Sequence, residues 1–379
     1  MFRKRSLAQT IREAACGSVD KMIHGNDIRT QLYQILGERV TQTDDYITAL
    51  EWLRDGEFMQ RCEEIVTDYH AGDDRLVAKL LRGALRPVYS SRAALLHFAF
   101  TGASGSGKSD LVATVLSLLP QERVVAYTSI TPKDLYYALN DAENPDMFRN
   151  KIIAITEIND TKKWDAIKAF AELDEYRSES HATTIGMKQR VLTINGPRAL
   201  WITSVKTVGD EQVRRRFINS TIDSESVECG RKKAKIITKN ILNQTSIEND
   251  WRLPIARAGF NLLYASQPEF ASIDTEAADL VYDVNMALVE RHYSPTHIKQ
   301  LYSMAECGAV EKQFARGICQ VWTEDILEAW FLLGFEDDSE VQINGKWVEP
   351  LDPLRQVQRV DGEIPPEPKM RIPIEGEAR

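Results

Sequence analysis

The chain has 379 residues, of which 43% are hydrophobic and 27% are charged. This composition excludes an intrinsically disordered protein, and the length is enough for two or three packed units. The formal net charge of -9 excludes a surface that is basic throughout, so any contact with nucleic acid must come from local clusters of Lys and Arg.

The chain starts with the basic sequence MFRKRSL, and no apolar signal-peptide core follows it. No apolar run approaches the roughly 20 residues that span a bilayer. The five cysteines form no C-x-x-C pair, which disfavours both a zinc module and a disulfide framework. We therefore expect a cytoplasmic protein without a membrane partner.

Residues 1–92 are predicted to form a helical N-terminal domain. In TDDYITALEWLRDGEFMQRCEEIVTDYH, apolar side chains recur at helical intervals after a candidate N-cap at Thr43 or Asp44. The stretch shows no catalytic pattern. If the chain has a protein partner, we expect it to bind this domain or the C-terminal tail.

From LLHFAFTG onward, short apolar runs alternate with helix-like segments, which is typical of an α/β fold. We assign this α/β core to residues 93–228. One helix is predicted from about Lys108 to Leu119, where Pro120 ends it. Strands are predicted near residues 95–101, 123–128, 151–156 and 198–204.

The stretch TGASGSGKSD, between the first strand and that helix, matches the phosphate-loop pattern G-x-x-x-x-G-K-[ST]. Small residues let consecutive backbone N–H groups turn inward around phosphate oxygens, and the helix directs its N-terminal partial positive charge to the same place. Lys108 is predicted to neutralise the β and γ phosphates of ATP, and the Ser109 hydroxyl to bind Mg²⁺. The alternative is a Gly/Ser-rich turn that matches by chance. The predicted ATP-binding residues are Gly102, Ala103, Ser104, Gly105, Ser106, Gly107, Lys108 and Ser109.

The run KIIAITEIND supplies an acidic partner for this loop. Glu157 follows the strand and is predicted to hold the metal through water and to orient the attacking water. Thr156 stands before it, where a carboxylate is usual. Either Glu157 serves both functions with help from the Thr156 hydroxyl, or hydrolysis is slow. The alternatives are an ordinary surface glutamate, and Asp160 as a substitute acid.

The stretch HATTIGMKQRVLTINGP predicts a β-hairpin that turns at Gly186 and Met187. Its tip carries Lys188, with Gln189 and Arg190 adjacent. Such hairpins, repeated around a ring, could grip the phosphate backbone of single-stranded DNA in a central pore through Lys188 and Arg190. The alternative is a solvated hairpin.

The strand in RALWITSVKTV ends with two hydroxyl side chains, Thr203 and Ser204, which are predicted to report whether the γ-phosphate is present. The alternative is that both hydroxyls bond to strand-end backbone. Ten residues later, the sequence QVRRRFINSTID contains three consecutive arginines, residues 214–216. At a subunit boundary an arginine can reach the nucleotide of a neighbour and stabilise the transferred phosphoryl group. The alternative is a surface basic run.

Residues 229–335 are predicted to form a helical lid domain that ends with EDILEAWFLLG. Residues 336–379 are predicted to be a flexible tail because they combine several prolines with many charges. A second basic cluster could also face DNA, although charge runs are usually solvated helix faces. This cluster contains Arg231, Lys232, Lys233 and Lys235.

The order of these parts resembles a ring-forming AAA+ ATPase, and the hairpin between the acidic strand and the sensing strand resembles the minichromosome maintenance helicases. The runs TGASGSGKSD, TSITPKDLYYALN, NKIIAITEIND, INGPRALWITSV and RRRFINSTIDSE are similar to the helicase-like ATPases encoded with zinc-finger DNA primases in phages and mobile elements. The resemblance covers residues 90–335 and implies a P-loop NTPase (AAA+) core with helical N-terminal and lid regions.

The resemblance further implies an ATP-driven DNA helicase or translocase in replication, assembled as a homo-oligomer, which is a hexamer by the family pattern. The arginine finger falls at Arg215 by the pattern of the primase-associated group and at Arg216 by that of the minichromosome helicases. The sequence departs from the family in Thr156, which replaces a carboxylate, and in lacking the primase zinc-finger cysteines. It would therefore not itself prime.

Two other functions fit parts of this pattern. An ATP-switched assembly or loading factor with slow hydrolysis is favoured by Thr156. A small-molecule kinase would share the phosphate loop but has no use for the hairpin and the arginines.

Overall fold

The structure of the chain is a computed structural model. It describes residues 43–72, 74–86, 95–128, 137–138, 144–156, 158, 167, 170–171, 179–185, 188–196, 198–205, 211–222, 227–243, 246–266, 271–290, 293–335, 341–343 and 346–348. The predicted turn at residues 186–187, the far N-terminus and most of the predicted tail lie outside the described residues.

The centre of the fold is a parallel sheet of five strands, β1 (His97–Thr101), β2 (Val124–Tyr127), β3 (Lys151–Ile155), β6 (Arg198–Ser204) and β7 (Phe217–Thr221). Their order in the sheet is β2-β3-β6-β1-β7. The four predicted strands are present, and β7 is an additional edge strand. Strand β6 lies between β1 and β3, which places the predicted sensing strand directly beside the strand that leads into the phosphate loop.

Both faces of the sheet are buried, which explains why its strands are apolar at consecutive positions. On β6, Trp201 packs into one core, whereas Leu200 and Ile202 pack into the other. This alternation follows from the two-residue period of side chains along a strand. The α/β fold predicted from the sequence is therefore present.

Helices cover one face of the sheet, and helices from both ends of the chain share its core. Gly259 lets its helix pack closely against Phe58, because a Cβ at position 259 would lie 2.0 Å from Phe58 Cε2. In the predicted helical N-terminal domain, one helix ends and the next begins around Gly56, which has a φ of +75°. The helices are α1 (Thr43–Arg54), α2 (Phe58–Tyr69), α3 (Asp74–Gly83), α4 (Lys108–Ser117), α5 (Glu211–Arg214), α6 (Val227–Asn243), α7 (Leu253–Ala265), α8 (Thr275–Glu290), α9 (Pro295–Arg316) and α10 (Thr323–Leu333).

The predicted hairpin is present as a separate two-stranded antiparallel sheet, β4 (Glu179–Ile185) and β5 (Lys188–Ile194). Ile185 pairs with Lys188, so two residues connect the strands. Ile194, at the end of β5, is buried in the core on the second face of the sheet and anchors the base of the hairpin. The other short strands are β8 (Ser272–Ile273), β9 (Gln320–Val321), β10 (Val341–Ile343) and β11 (Lys346–Val348).

A network of ion pairs joins α3 to α9 and α10. Arg82 Nε contacts Glu311 at 2.8 Å, and its Nη2 contacts Glu328 at 2.8 Å. Burial opposes ionisation, but Arg82 and Lys312 lower the pKa of Glu328 to about 2. The pKa of the half-buried Glu63 carboxyl shifts in the opposite direction. Burial and the nearby charge of Glu311 raise this pKa to about 8.

We expect Glu63→Gln to flatten the pH dependence of stability. Between the ordinary pKa and about pH 8, the folded protein keeps a proton on Glu63 that the unfolded chain has lost. The free energy of unfolding should therefore fall as pH rises through this window, by about 2 kcal/mol after allowance for partial exposure. Urea titrations at pH 5 and pH 8 measure it. The exposed neighbour variant Glu64→Gln should behave as wild type, and an equal pH slope in wild type and Glu63→Gln would contradict the assignment.

Candidate nucleotide-binding site

The phosphate loop connects the end of β1 to the start of α4. Gly102 is required where the chain leaves the strand, because it has a φ of +150° and a Cβ there would lie 2.9 Å from the Ile222 carbonyl oxygen. Gly107 precedes α4 with a φ of +96°, in the left-handed region. The backbone N–H groups at the start of α4 have no partner within the helix, so this end of α4 is suited to bind phosphate.

The ammonium group of Lys108 lies against the loop. It donates hydrogen bonds to the carbonyl oxygens of Gly102 at 2.8 Å and Ala103 at 2.6 Å, and to Ser106 Oγ at 3.2 Å. Burial lowers the pKa of Lys108. A buried cation next to the start of a helix is an arrangement that favours a polyanionic ligand.

The hydroxyl groups of Ser109 and Thr203 meet at the carboxyl edge of the sheet. Ser109 Oγ lies 3.3 Å from Thr203 Oγ1. This contact follows from the sheet order, because β6 is next to β1 and Thr203 pairs with Phe100 at the end of β1. The structure thus brings the predicted sensing residue to the predicted metal ligand.

The loop and the end of β6 enclose a cavity of about 280 Å³. This volume is near the lower end of the ~300–1,000 Å³ range of ligand pockets. Of the predicted ATP-binding residues, Gly102, Ala103 and Ser106 are outside the lining, although each of them contacts Lys108. The cavity is lined by Ser104, Gly105, Gly107, Lys108, Ser109, Asp110, Thr203, Ser204 and Val205.

These residues fit a nucleotide phosphate and its magnesium ion. The cavity combines left-handed glycines, one buried ammonium group and four hydroxyl side chains, of which Ser109 and Thr203 contact each other. A bound Mg²⁺ would neutralise charge on the β and γ phosphates. Of the two predicted metal ligands, Ser109 and Glu157, Ser109 is the one that lies within the described residues. Among the described residues, which do not include Glu157, no group of three or more His, Cys, Asp or Glu forms a metal site by itself.

The predicted catalytic acid, Glu157, and its substitute Asp160 lie outside the described residues. On one side of Glu157, the Thr156 hydroxyl donates to the Thr128 carbonyl oxygen at 2.9 Å, at the end of β2. On the other side, the Ile158 N–H donates to the Thr203 carbonyl oxygen at 3.0 Å. The Thr156 hydroxyl is thus engaged with β2, whereas the residue after Glu157 is bonded to β6.

The Ser204 hydroxyl donates to the Ile158 carbonyl oxygen at 2.6 Å. This is the backbone-bonded arrangement that the sequence left open as an alternative to sensing. Ser204 nevertheless lines the cavity, so its role in sensing stays a prediction. Of the two hydroxyls, Thr203 is the one that contacts the phosphate-loop serine.

The three arginines, residues 214–216, lie at the opposite edge of the sheet from the phosphate loop. They precede β7, whose first residue, Phe217, pairs with His97 at the start of β1. The phosphate loop begins after Thr101, four residues or roughly 13 Å further along the strand. This distance exceeds the length of an arginine side chain. The arginines therefore do not reach the nucleotide site of the same chain.

In the second basic cluster, Arg231, Lys232 and Lys235 are exposed, as on a solvated helix face, whereas Lys233 is half-buried. Lys233 Nζ donates a hydrogen bond to the Ser106 carbonyl oxygen at 2.8 Å, so α6 contacts the phosphate loop. The loop has another neighbour, because His70 Nδ1 at the end of α2 lies 2.9 Å from the Asp110 carboxylate in the first turn of α4. Neither contact was predicted, since both pairs are far apart in sequence.

A parallel sheet flanked by helices, with a glycine-rich loop between strand and helix and a lysine and a serine at the helix start, defines an α/β P-loop NTPase. This class binds nucleotides, typically with Mg²⁺. The chain belongs to the family described as the MTBMA_p00010 P-loop domain, whose model matches residues 43–265. The matched region runs from the start of α1 to the end of α7, so it includes the N-terminal helices as well as the sheet.

The chain is also similar to a protein of Methanothermobacter marburgensis described as "Uncharacterized protein MTBMA_p00010". The two are 24% identical over 170 residues, which cover 45% of this chain and 21% of the relative. The chain thus matches about a fifth of the length of that relative. Among the described residues, no helix has the length and apolar character needed to cross a membrane.

Proposed function

We propose that this P-loop protein is an ATP-dependent, ring-forming DNA motor, a helicase or translocase that acts in the replication of a chromosome or mobile element. The observation that carries the proposal is the division of catalytic groups between the two edges of the sheet. Thr203 contacts Ser109 at the phosphate loop, whereas the three arginines lie at the far edge. A site of this kind is completed by the arginine of a neighbouring subunit.

The molecule also carries two exposed apolar stripes suited to bind a second copy. Helix α6 exposes Ile241 and Leu242 at 70% and 76%, and α8 exposes Tyr282 at 67%. Their charges are complementary, because α6 has five Lys or Arg and one Glu, whereas α8 has four carboxylates and neither Lys nor Arg. Contact between two different surfaces of the same chain closes into a ring when the rotation permits it, and a hexamer is the size we propose.

The assembly contact can be tested by light scattering. Ile241→Asp places a carboxylate in the apolar stripe of α6 and should shift the mass of the ATP-bound protein from oligomer to monomer. Asn249→Asp adds a similar carboxylate at another exposed position and should leave the oligomer intact. A monomeric wild type, or an intact Ile241→Asp oligomer, would refute a ring built through α6. The wild type would also be monomeric if the N-terminus or the tail of the same chain covered the two stripes.

The hairpin β4–β5 is the proposed contact with single-stranded DNA. Lys188→Ala should raise the dissociation constant for single-stranded DNA severalfold and lower the salt slope of binding by about 0.7, the value for one phosphate contact. The ATPase rate without DNA should not change. Lys299→Ala, at an exposed position on α9, is the control. Equal DNA affinity of both variants and wild type at fixed salt would show that the hairpin is only solvated. Arg190, two positions along β5, should act in the same direction.

A second candidate function is an ATP-switched assembly or loading factor, which holds nucleotide and recruits a protein partner through its N-terminal helices or tail. The observation that favours it is the Thr156 hydroxyl, which is bonded to the end of β2 and supplies no second carboxylate. Steady-state ATPase assays combined with measurements of nucleotide retention separate the two functions. Steady turnover that Glu157→Gln abolishes supports the motor, whereas tight retention of ATP without turnover supports the switch.

A further inference from the structure

We infer that Lys233 is a positioning residue for the phosphate loop, and that it fixes the peptide group between Ser106 and Gly107. The inference deepens the proposed nucleotide-binding function and rests on it. It starts from one contact across the fold, in which the ammonium group of Lys233 on α6 donates to the Ser106 carbonyl oxygen at 2.8 Å.

The orientation of this peptide group determines what the loop offers to phosphate. In a trans peptide the C=O and N–H groups point in opposite directions. Because the Ser106 carbonyl points to Lys233, the N–H of Gly107 points away from α6, toward the cavity that Gly107 lines. Backbone N–H groups in this part of a phosphate loop hold the α and β phosphates. Lys233 therefore keeps the Gly107 N–H oriented as a hydrogen-bond donor to phosphate.

Glycine makes this peptide easy to rotate. Gly107 has a φ of +96° and no side chain to restrain it, so a competing orientation with the carbonyl in the cavity is sterically accessible. A carbonyl there would repel phosphate. The space beside Gly107 is narrow, since a Cβ at this position would lie 3.3 Å from His70 and 3.4 Å from Lys233 Nζ. Charge-assisted hydrogen bonds are roughly twice as strong as neutral ones.

The location of Lys233 also connects the loop to the proposed assembly surface. On α6, the side chains of Lys233, Ile236 and Asn240 are half-buried, whereas Ile237 and Ile241 flank this stripe and are exposed. A subunit that binds the exposed side of α6 would therefore contact the helix that holds Lys233 against the loop.

The test compares Lys233→Met with Lys233→Arg, and uses Lys235→Met as the matched control on the exposed side of α6. The dissociation constants of Mg-ADP and Mg-ATP should both rise about tenfold in Lys233→Met, the effect of one charge-assisted hydrogen bond. Lys233→Arg should restore most of the affinity. KM for ATP should rise while kcat stays within about twofold, because the α and β phosphates are held equally in the ground and transition states.

The outcomes separate this inference from the proposed function. If the wild-type protein binds no nucleotide, both are overturned. If the wild type binds but Lys233→Met binds equally well, only the role of Lys233 is overturned. The same holds if Lys233→Arg restores nothing and Lys233→Met lowers the unfolding temperature without nucleotide, since Lys233 is then a structural residue of α6. Lys233→Gln replaces Lys233→Met if the latter does not fold.

Discussion

Replacing Lys108 by alanine should raise the dissociation constants of ATP and ADP by about 100-fold or more, which corresponds to the loss of two charge-assisted hydrogen bonds. The lysine ammonium is buried beside the cavity. Among the described residues that line the cavity, it is the one cation that can neutralise the β and γ phosphates, and the other charged residue, Asp110, is an anion. Titration with a fluorescent ADP analogue measures the effect.

The nucleotide-free Lys108→Ala protein should not be less stable than wild type. Burial already lowers the pKa of Lys108, so the folded protein holds this cation at a cost. Lys299→Ala, a surface lysine far from the loop in sequence, should bind nucleotide as wild type does. Retained affinity in Lys108→Ala would show that the loop does not bind phosphate.

Replacing Arg215 and Arg216 together by alanine should leave nucleotide affinity unchanged and reduce the ATP turnover rate by about a thousandfold or more, as expected for an arginine finger. The binding site stays intact because both residues directly precede β7, at the sheet edge away from the phosphate loop of the same chain. Single variants at the two positions decide which of them is the finger.

Arg214→Ala provides the matched control for this double variant. Arg214 is exposed at the end of α5. It should retain turnover close to wild type. Wild-type turnover in the double variant would show that the three arginines are an ordinary basic surface and not arginine fingers. Loss of nucleotide affinity in the double variant would instead indicate a structural defect.

The local parts of the site could be predicted from the sequence because their geometry depends on short-range spacing. The positions of Gly102, Gly107, Lys108 and Ser109 fix a strand, a loop and a helix start within ten residues. The position of Thr203 near the phosphate loop follows from the same reasoning, since parallel strands bring their carboxyl ends to one edge, and its hydroxyl contacts Ser109 there. Its sensing role stays a prediction.

The parts that were missed depend on tertiary packing. The edge strand β7 ends in Asn219, Ser220 and Thr221, so its sequence lacks a long apolar run. The contact of Lys233 with Ser106 joins residues 127 positions apart. A run of basic residues has the same sequence signature on a solvated helix as on one that contacts the loop. Only the packing of α6 near α2 and the loop distinguishes the two.

The central claim is that one ATP site is formed by two subunits, and a mixing experiment tests it most directly. Lys108→Ala protein lacks the phosphate-binding ammonium but keeps its arginines, whereas the Arg215/Arg216 double variant has the converse defect. Each protein alone should be inactive. In a one-to-one mixture, about a quarter of the interfaces would combine an intact loop with an intact arginine, so turnover should recover to roughly a quarter of the wild-type rate per subunit. A mixture of exchanging oligomers that remains as inactive as its components would contradict the shared site.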